Sequence, residues 1–187
     1  LRTDSDNQTR SGYTVLTTCS PANFEYVKSL GASEAFDYRD PESAAKIRSL
    51  TNNALTLAWD TIGEADSAQF CADALSTDSA LSPKRYGTIL QSKCPRDDVE
   101  TVGTLMYTIF GEEFAKFGAT FPACAEDFEF AKSFMAMTEK LLAEGKLKTH
   151  AEAVGKGGLQ GALQGMEDMK AGKVSGKKLV YRVAETA

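Results

Sequence analysis

The rhythm of apolar and polar positions changes several times along the chain, and each change marks an element. Tyr13 to Thr18 is a short β-branched run after the Ser11-Gly12 punctuation and predicts a strand. Ser20 then stands at an N-cap position with Pro21 at the first helical position, where a ring that fixes φ and lacks a donor is welcome. Phe24, Val27, Lys28 and Leu30 continue at helical spacing, and Gly31 is a natural stop. Glu34 to Tyr38 predicts a second strand. Asp40-Pro41 opens a helix with Ala44, Ala45, Ile47 and Leu50 on one apolar face. Leu55 to Ile62 (LTLAWDTI) predicts a third strand, apolar enough to lie inside a sheet. A helix over Ala65 to Leu75 and a strand over Tyr86 to Gln91 follow. Strands alternating with helical crossovers argue for a parallel sheet covered on both faces, with right-handed connections.

The second half has a different texture. Thr104 to Phe110 (TLMYTIF) is a compact apolar and aromatic run ended by Gly111-Glu112, and phenylalanines crowd the stretch beyond it. Asp127 to Glu144 predicts a long amphipathic helix closed by Gly145. A short strand over Lys148 to Ala153, one more helix, a Gly-rich turn and a last strand over Lys178 to Val183 complete the pattern.

Composition narrows the class. The chain has 187 residues, enough for one domain with a proper core, and 42% apolar with 25% charged residues is ordinary for a globular protein. A net charge of -5 supplies no basic stripe for nucleic acid. No apolar run approaches the roughly 20 residues that span a bilayer, and the polar start LRTDSDNQTR carries no signal core, so a cytoplasmic protein is expected. Cys19, Cys71, Cys94 and Cys124 are widely spaced, without a C-x-x-C pair or a Cys/His cluster; reduced, mostly buried thiols and no metal site are expected. The single histidine, His150, lies in a polar stretch and is read as solvated rather than as a base.

The most informative point is the tip after the first predicted strand. In open parallel sheets ligands bind beyond the carboxyl ends of the strands, and an acid at this tip of a dinucleotide-binding unit accepts from a ribose 2′-hydroxyl. Cys19, Ser20, Pro21, Ala22 and Asn23 include no acid. They offer a hydroxyl, an amide and the N–H groups of a starting helix, which suit an anion such as a ribose 2′-phosphate. A plain helix cap by Ser20 explains the same residues. Tyr38, ending the next strand, is placed to stack on an adenine or to pack on the sheet edge.

These residues carry a resemblance. SGYTVLTTCSPANFEYVKSLGASEAFDYRDP is similar to the second and third strands of the nucleotide-binding domain of medium-chain dehydrogenases/reductases, and GGLQGALQGMEDMKAGKVSGKKLV to that superfamily's closing helix, turn and strand. CSPANF, FDYRDP and TIFGE together resemble the fungal trans-acting enoyl reductases that serve polyketide synthases and hybrid synthase–peptide synthetases. The likeness runs from about Ser11 to the end. It implies an α/β fold, an incomplete Rossmann-like, doubly wound parallel sheet with C-terminal closing helices and strand of the medium-chain reductase type. It also implies NADPH as cofactor, with Ser20, Pro21, Ala22 and Asn23 around the 2′-phosphate and Tyr38 on the adenine side. Ile89 and Leu90 would pass the nicotinamide side, and Val174 and Ser175 would touch the cofactor before the last strand. Met106, Tyr107, Thr108, Ile109 and Phe110 would line the acyl channel, although from the residues alone an apolar segment filling core is the preferred explanation. The implied reaction passes hydride to the β-carbon of an enoyl thioester presented on the synthase's carrier domain.

The likeness also implies what the chain does not contain. Only 19 residues precede Ser20, whereas a strand, Gly-rich phosphate turn and helix need about 30, and LRTDSDNQTR holds no such turn. A reductase truncated at its N-terminus is expected, without its first strand, its Gly-rich turn and its GroES-like domain, and with an unpaired edge on the Tyr13 or Leu55 strand. The expected organisation is a polar irregular start over 1–10, a Rossmann-like cofactor-binding domain over 11–145 and a closing strand-helix-strand over 146–187. No general acid is singled out; Tyr107 qualifies by residue type only. A non-catalytic binding or scaffolding relative, and a quinone- or aldehyde-type reductase of the same superfamily, remain as alternatives, and oligomeric state stays open between monomer and homo-oligomer.

Overall fold

The β-branched run after Gly12 does become a strand, β1 (Leu16–Cys19), and it stops where Pro21 and Ser20 turn the chain into a 3-10 turn (Pro21–Asn23) and a short helix, α1 (Phe24–Lys28). Residues 11–186 are described by a computed structural model; the polar stretch 1–10, expected to be irregular, lies outside the described residues. Gly31 takes φ 103°, a conformation that favours glycine, and ends the helical stretch. The chain returns as β2 (Glu34–Asp37), parallel to β1, with Leu16 opposite Glu34 and Cys19 opposite Asp37.

Helix α2 (Ser43–Leu50) buries Ala44 and Ile47 but exposes Ala45 and Leu50, so its apolar face is narrower than expected. Ala45 lies a further 100° around the helix from Ala44, and Leu50 sits in the last turn. Strand β3 (Leu57–Asp60), helix α3 (Ala65–Ala74) and strands β4 (Lys84–Thr88) and β5 (Val99–Gly103) follow, giving a parallel sheet in the order β3-β4-β5. Strand β4 begins and ends earlier than the expected Tyr86–Gln91, because Lys84 and Arg85 pair with Val99 and Glu100. The expectation that the third strand lies inside the sheet is corrected. Among the described residues β3 pairs only with β4, and its Leu57 and Trp59 are 44% and 41% exposed.

The parallel sheet is therefore in two pieces, β1-β2 and β3-β4-β5, and among the described residues β1 and β3 each pair on one side only. Helices α2 and α3 pack on each other and join the pieces. Ala44, Ile47 and Ala74 are buried there, with Leu16 and Phe36 from one sheet and Leu55 and Phe70 from the β3 side against them. A second cluster of Ala68, Ala72, Leu75, Tyr86, Cys94 and Val99 fills the space between α3 and the three-stranded sheet.

Beyond β5 the Met106–Phe110 run forms a 3-10 helix, and β6 (Phe114–Lys116) pairs antiparallel with β7 (Ala119–Phe121). Helix α4 (Ala125–Ala143) ends before Gly145, as its glycine stop predicts. The closing unit is β8 (Glu152–Gly155), helix α5 (Gly158–Lys170) and β9 (Lys178–Tyr181), with β8 parallel to β9. Strand β8 starts four residues after the expected Lys148, and β9 ends at Tyr181 rather than Val183. Helix α5 can lie close to β9 because Gly165 faces Tyr181; a Cβ there would fall on the Tyr181 hydroxyl. All four cysteines are free, Cys19 and Cys94 buried and Cys71 and Cys124 half-buried, and His150 is exposed. No helix of the described residues is long and apolar enough to cross a membrane.

Candidate functional site

Because β1 and β2 run parallel with Cys19 opposite Asp37, Ser20 and Tyr38 leave the sheet side by side at its carboxyl edge. Adjacent strands lie about 4.8 Å apart, so these residues form one surface. Ser20 has the extended backbone of an N-cap, but its side chain makes no cap hydrogen bond. The hydroxyl is therefore not committed to its own helix, which corrects the plain-cap alternative. Pro21 and Ala22 are exposed beside it. Asn23 reaches the other end of the chain: its Nδ2 donates to the Ser175 Oγ at 3.1 Å. Half-buried Val174 precedes Ser175 in the turn before β9, and a Cβ on Gly176 would lie 3.3 Å from the Asn23 Oδ1. The structure thus brings Asn23, at the end of the tip, against Ser175 and Gly176 in the turn before the last strand.

Tyr38 is 52% exposed. Its neighbour Arg39, not singled out by the sequence, lays its guanidinium on the ring, with Cζ 5.0 Å from the centroid and Nε donating to the Tyr38 hydroxyl at 3.1 Å. The signal for Arg39 was present in the motif DYRD, a cation next to an aromatic residue at a strand end.

The three-stranded sheet carries an apolar end. Ile89 and Leu90 follow Thr88 and are exposed, with Leu90 against Gly63 at the end of β3. Met106 and Phe110 are exposed on the 3-10 helix that follows β5, while Tyr107, Thr108 and Ile109 are half-buried. That helix rests on α4: Gly111 has φ 69°, and a Cβ on it would lie 3.0 Å from Phe128. Tyr107 packs on Phe114 at 5.7 Å and accepts a hydrogen bond from Lys116, whose Nζ lies 3.8 Å from the Tyr107 ring centroid. Among the described residues no hydrogen bond or ring contact joins this end to the Ser20–Asn23 tip, so the two halves of the expected site stand on separate sheets.

A buried polar hub fixes the ends of β3 and β4. Asp60, 4% exposed, accepts from the Ile62 N–H at 2.9 Å, the Gly63 N–H at 3.0 Å, Ser67 Oγ at 2.7 Å and the Tyr86 hydroxyl at 2.8 Å. Burial pushes this carboxyl up, and the hydrogen bonds from Gly63, Ser67, Tyr86 and Ile62 outweigh it and hold it below the ordinary value. Burial lifts the Tyr86 phenol above its ordinary value, which keeps it a donor. A second network holds the far side: buried Lys84 donates to the Asp78 and Leu81 carbonyls and pairs with Asp98 at 3.1 Å. Asp98 also pairs with Arg96 at 2.6 Å and is held far below the usual carboxylate range by Arg96 and Lys84. These groups are fully partnered, and we assign them to support of the strand ends rather than to ligand contact. Among the described residues no group of three or more His, Cys, Asp or Glu is placed to hold a metal ion.

No family model matches the chain. It is 40% identical over 178 residues to trans-enoyl reductase resD of Aspergillus sclerotiorum, an alignment covering 92% of this chain and 49% of that protein. In fold it is similar to a putative zinc-dependent alcohol dehydrogenase protein from Rhizobium etli CFN 42, with TM-score 0.70 and 23% identity over 97% of this chain and 50% of that one. It is similar also to CurA in complex with NADPH from Vibrio vulnificus, with TM-score 0.63 and 16% identity over 98% of this chain and 52% of that one. The chain spans about half the length of the curated relatives it matches. By sequence the chain is related to about half of each fungal trans-enoyl reductase it matches, and its fold is that of the oxidoreductases it resembles.

Proposed function

We propose that this chain is an NADPH-dependent trans-acting enoyl reductase, or the part of one that grips the cofactor's adenosine end, and that its substrate is an enoyl thioester on a polyketide synthase carrier domain. The observation that carries the cofactor assignment is the closed tip of β1. Asn23 ties it to Ser175, Ser20 keeps an uncommitted hydroxyl, and no carboxylate stands at residues 19–23. An acid there would bond a free 2′-hydroxyl and repel a 2′-phosphate. These residues fit a phosphorylated ribose.

When bound, NADPH would supply the hydride that reduces the β-carbon of the α,β-unsaturated thioester, a proton completes the α-carbon, and NADP+ leaves. The chain's residues would hold the two reactants. Ser20 and Asn23 orient the adenosine end, Tyr38 offers a ring face to the adenine, and Ile89 and Leu90 shield the nicotinamide side from water. Met106 and Phe110, 63% and 61% exposed, give the acyl chain an apolar wall.

The exposed apolar faces of α4 (Phe130, Met135) and α5 (Leu163, Met169) favour a second reading, a relative that binds a partner without catalysing. Titration with NADPH and then NADH, followed by quenching of the single tryptophan, Trp59, tests the first. Saturable quenching by NADPH with a clear preference over NADH is expected; equal indifference of a folded chain to both would remove the cofactor assignment and leave the binding partner.

A further inference from the structure

We infer that Arg39 is the cation that selects the 2′-phosphate of the dinucleotide; this deepens the NADPH reading and rests on it. A doubly charged phosphate needs a positive group, and the start of the helical stretch after β1 is a weak one. It consists of a three-residue 3-10 turn and a five-residue α1, too short to build a sizeable macrodipole. Two nearby cations are already neutralised: Lys28 pairs with Glu34 at 2.6 Å, and Lys46 with Asp40 at 2.6 Å.

Arg39 is in a different state. Among the described residues its guanidinium has no carboxylate partner, and both acids beside it are engaged elsewhere. Asp40 is held by Lys46, and Asp37 accepts the backbone N–H of Arg39 itself at 3.0 Å. Nε is used on the Tyr38 hydroxyl, and Cζ lies over the ring, 5.0 Å from its centroid. The two terminal nitrogens, Nη1 and Nη2, are left as a free fork, the geometry that matches two phosphate oxygens. Register then places the fork: Cys19 faces Asp37, so Arg39 leaves β2 two residues past the point where Ser20 is one residue past β1. Ser20, with its uncommitted hydroxyl, and Arg39 thus stand at two adjacent strand tips. Tyr38 has a second face, and with Arg39 on one side the other remains for the adenine. An arginine beside this ribose is a general way to accommodate a 2′-phosphate.

The test uses fragments that need only this tip, 2′-AMP and 5′-AMP, alongside NADPH and NADH, with affinities read by calorimetry on the native chain, Arg39→Gln, Arg39→Lys and Tyr38→Phe. Arg39 is exposed, and far-UV circular dichroism checks that each variant is folded. The native chain is expected to prefer 2′-AMP over 5′-AMP. Arg39→Gln should weaken 2′-AMP and NADPH on the order of tenfold or more and leave 5′-AMP and NADH within about twofold. Arg39→Lys should recover part of the loss, and Tyr38→Phe, which keeps the ring but removes the Nε acceptor, should lose less than Arg39→Gln. Added salt should erode the preference in the native chain and do little in Arg39→Gln. A preference for 2′-AMP that survives Arg39→Gln would overturn the role of Arg39 while leaving the NADPH reading standing. A folded native chain with no such preference would overturn both.

Discussion

Removing one oxygen from the buried hub at the end of β3 probes what Asp60 gains from the Tyr86 hydroxyl. Tyr86→Phe keeps the ring of a residue with no exposed surface and deletes the hydroxyl that donates to Asp60 Oδ2 at 2.8 Å. Packing is unchanged, so no cavity contribution enters. Asp60 retains Ser67 on the same oxygen and the Ile62 and Gly63 N–H groups on the other, and Ser92, which loses its contact with Tyr86, keeps Thr88 at 3.0 Å. A hydrogen bond to an ionised acceptor contributes about 1.5–3 kcal/mol, and the surviving partners put this one near the lower end, about 1.5–2 kcal/mol at neutral pH. The pH dependence follows from the depressed carboxyl. A group whose folded value lies below its unfolded value contributes stability above the unfolded value, near 3.9 for Asp, and loses it as pH falls through the folded value. The variant's Asp60 is depressed less, so the gap between native chain and variant should be full at pH 7 and narrow as acid protonates Asp60. Below that range only a neutral hydrogen bond of about 0.5–1 kcal/mol separates them. Urea unfolding at several pH values, followed through Trp59 on the same strand, measures the gap. A difference under about 0.5 kcal/mol at pH 7, or one that does not change into the acid range, would refute the view that Asp60 is an ionised acceptor whose bonds outweigh its burial.

Two further outcomes follow from the supporting networks. Arg96 donates to the Ala72, Leu75 and Ser76 carbonyls at 3.0, 3.2 and 2.7 Å, which closes the carboxyl end of α3; Arg96→Ala should cost about 2 kcal/mol in urea unfolding, and Arg96→Lys should recover only part. Burial, with the Asp60 charge behind it, pushes the Cys71 thiol up to about 12, and Cys19 and Cys94 are buried, so half-buried Cys124 should react first with a disulfide reagent at mildly alkaline pH. Cys124→Ser should remove the fast phase, and an unchanged fast phase would contradict the protection of Cys19 and Cys94 by burial and of Cys71 by its raised pKa.

Local chemistry was legible and long-range pairing was not. The Ser20-Pro21 start, the Gly31 and Gly145 stops and the α3 span are decided by a few neighbouring residues, and the sequence pattern finds them. Strand β5 was not foreseen, because VETVG carries a charge at its second position and becomes a strand by pairing along β4. The β6–β7 hairpin also escaped notice. It turns at Phe117 and Gly118 with φ 55° and 77°, the two positive values of a type I′ turn, but Phe replaces the Asn or Asp that usually announces one. Arg39 has Asp37 and Asp40 close by in the sequence, and only the fold reveals that Lys46 has taken Asp40 and the Arg39 backbone N–H a carboxylate oxygen of Asp37. The Asn23–Ser175 bond spans 152 residues, and only the family resemblance pointed to both ends.

The division of the sheet bears on what this chain can do. On the proposed reading, the adenosine end would rest on parts that the chain holds together: two parallel strands in register, the Tyr38–Arg39 stack and the Asn23–Ser175 tie. The apolar end stands on another sheet, and the two are connected by α2 against α3 rather than by strand pairing. Their spacing therefore depends on side-chain packing around Ala44, Ile47 and Ala74, which lacks the directional register of a hydrogen-bonded ladder. Met106 and Phe110 also face water, so the proposed acyl side would have one wall among the described residues. In the proposed function, gripping a 2′-phosphorylated adenosine and reducing a thioester would thus be separable: the first would depend on a self-contained tip, the second on holding two sheets at one distance and covering an apolar surface.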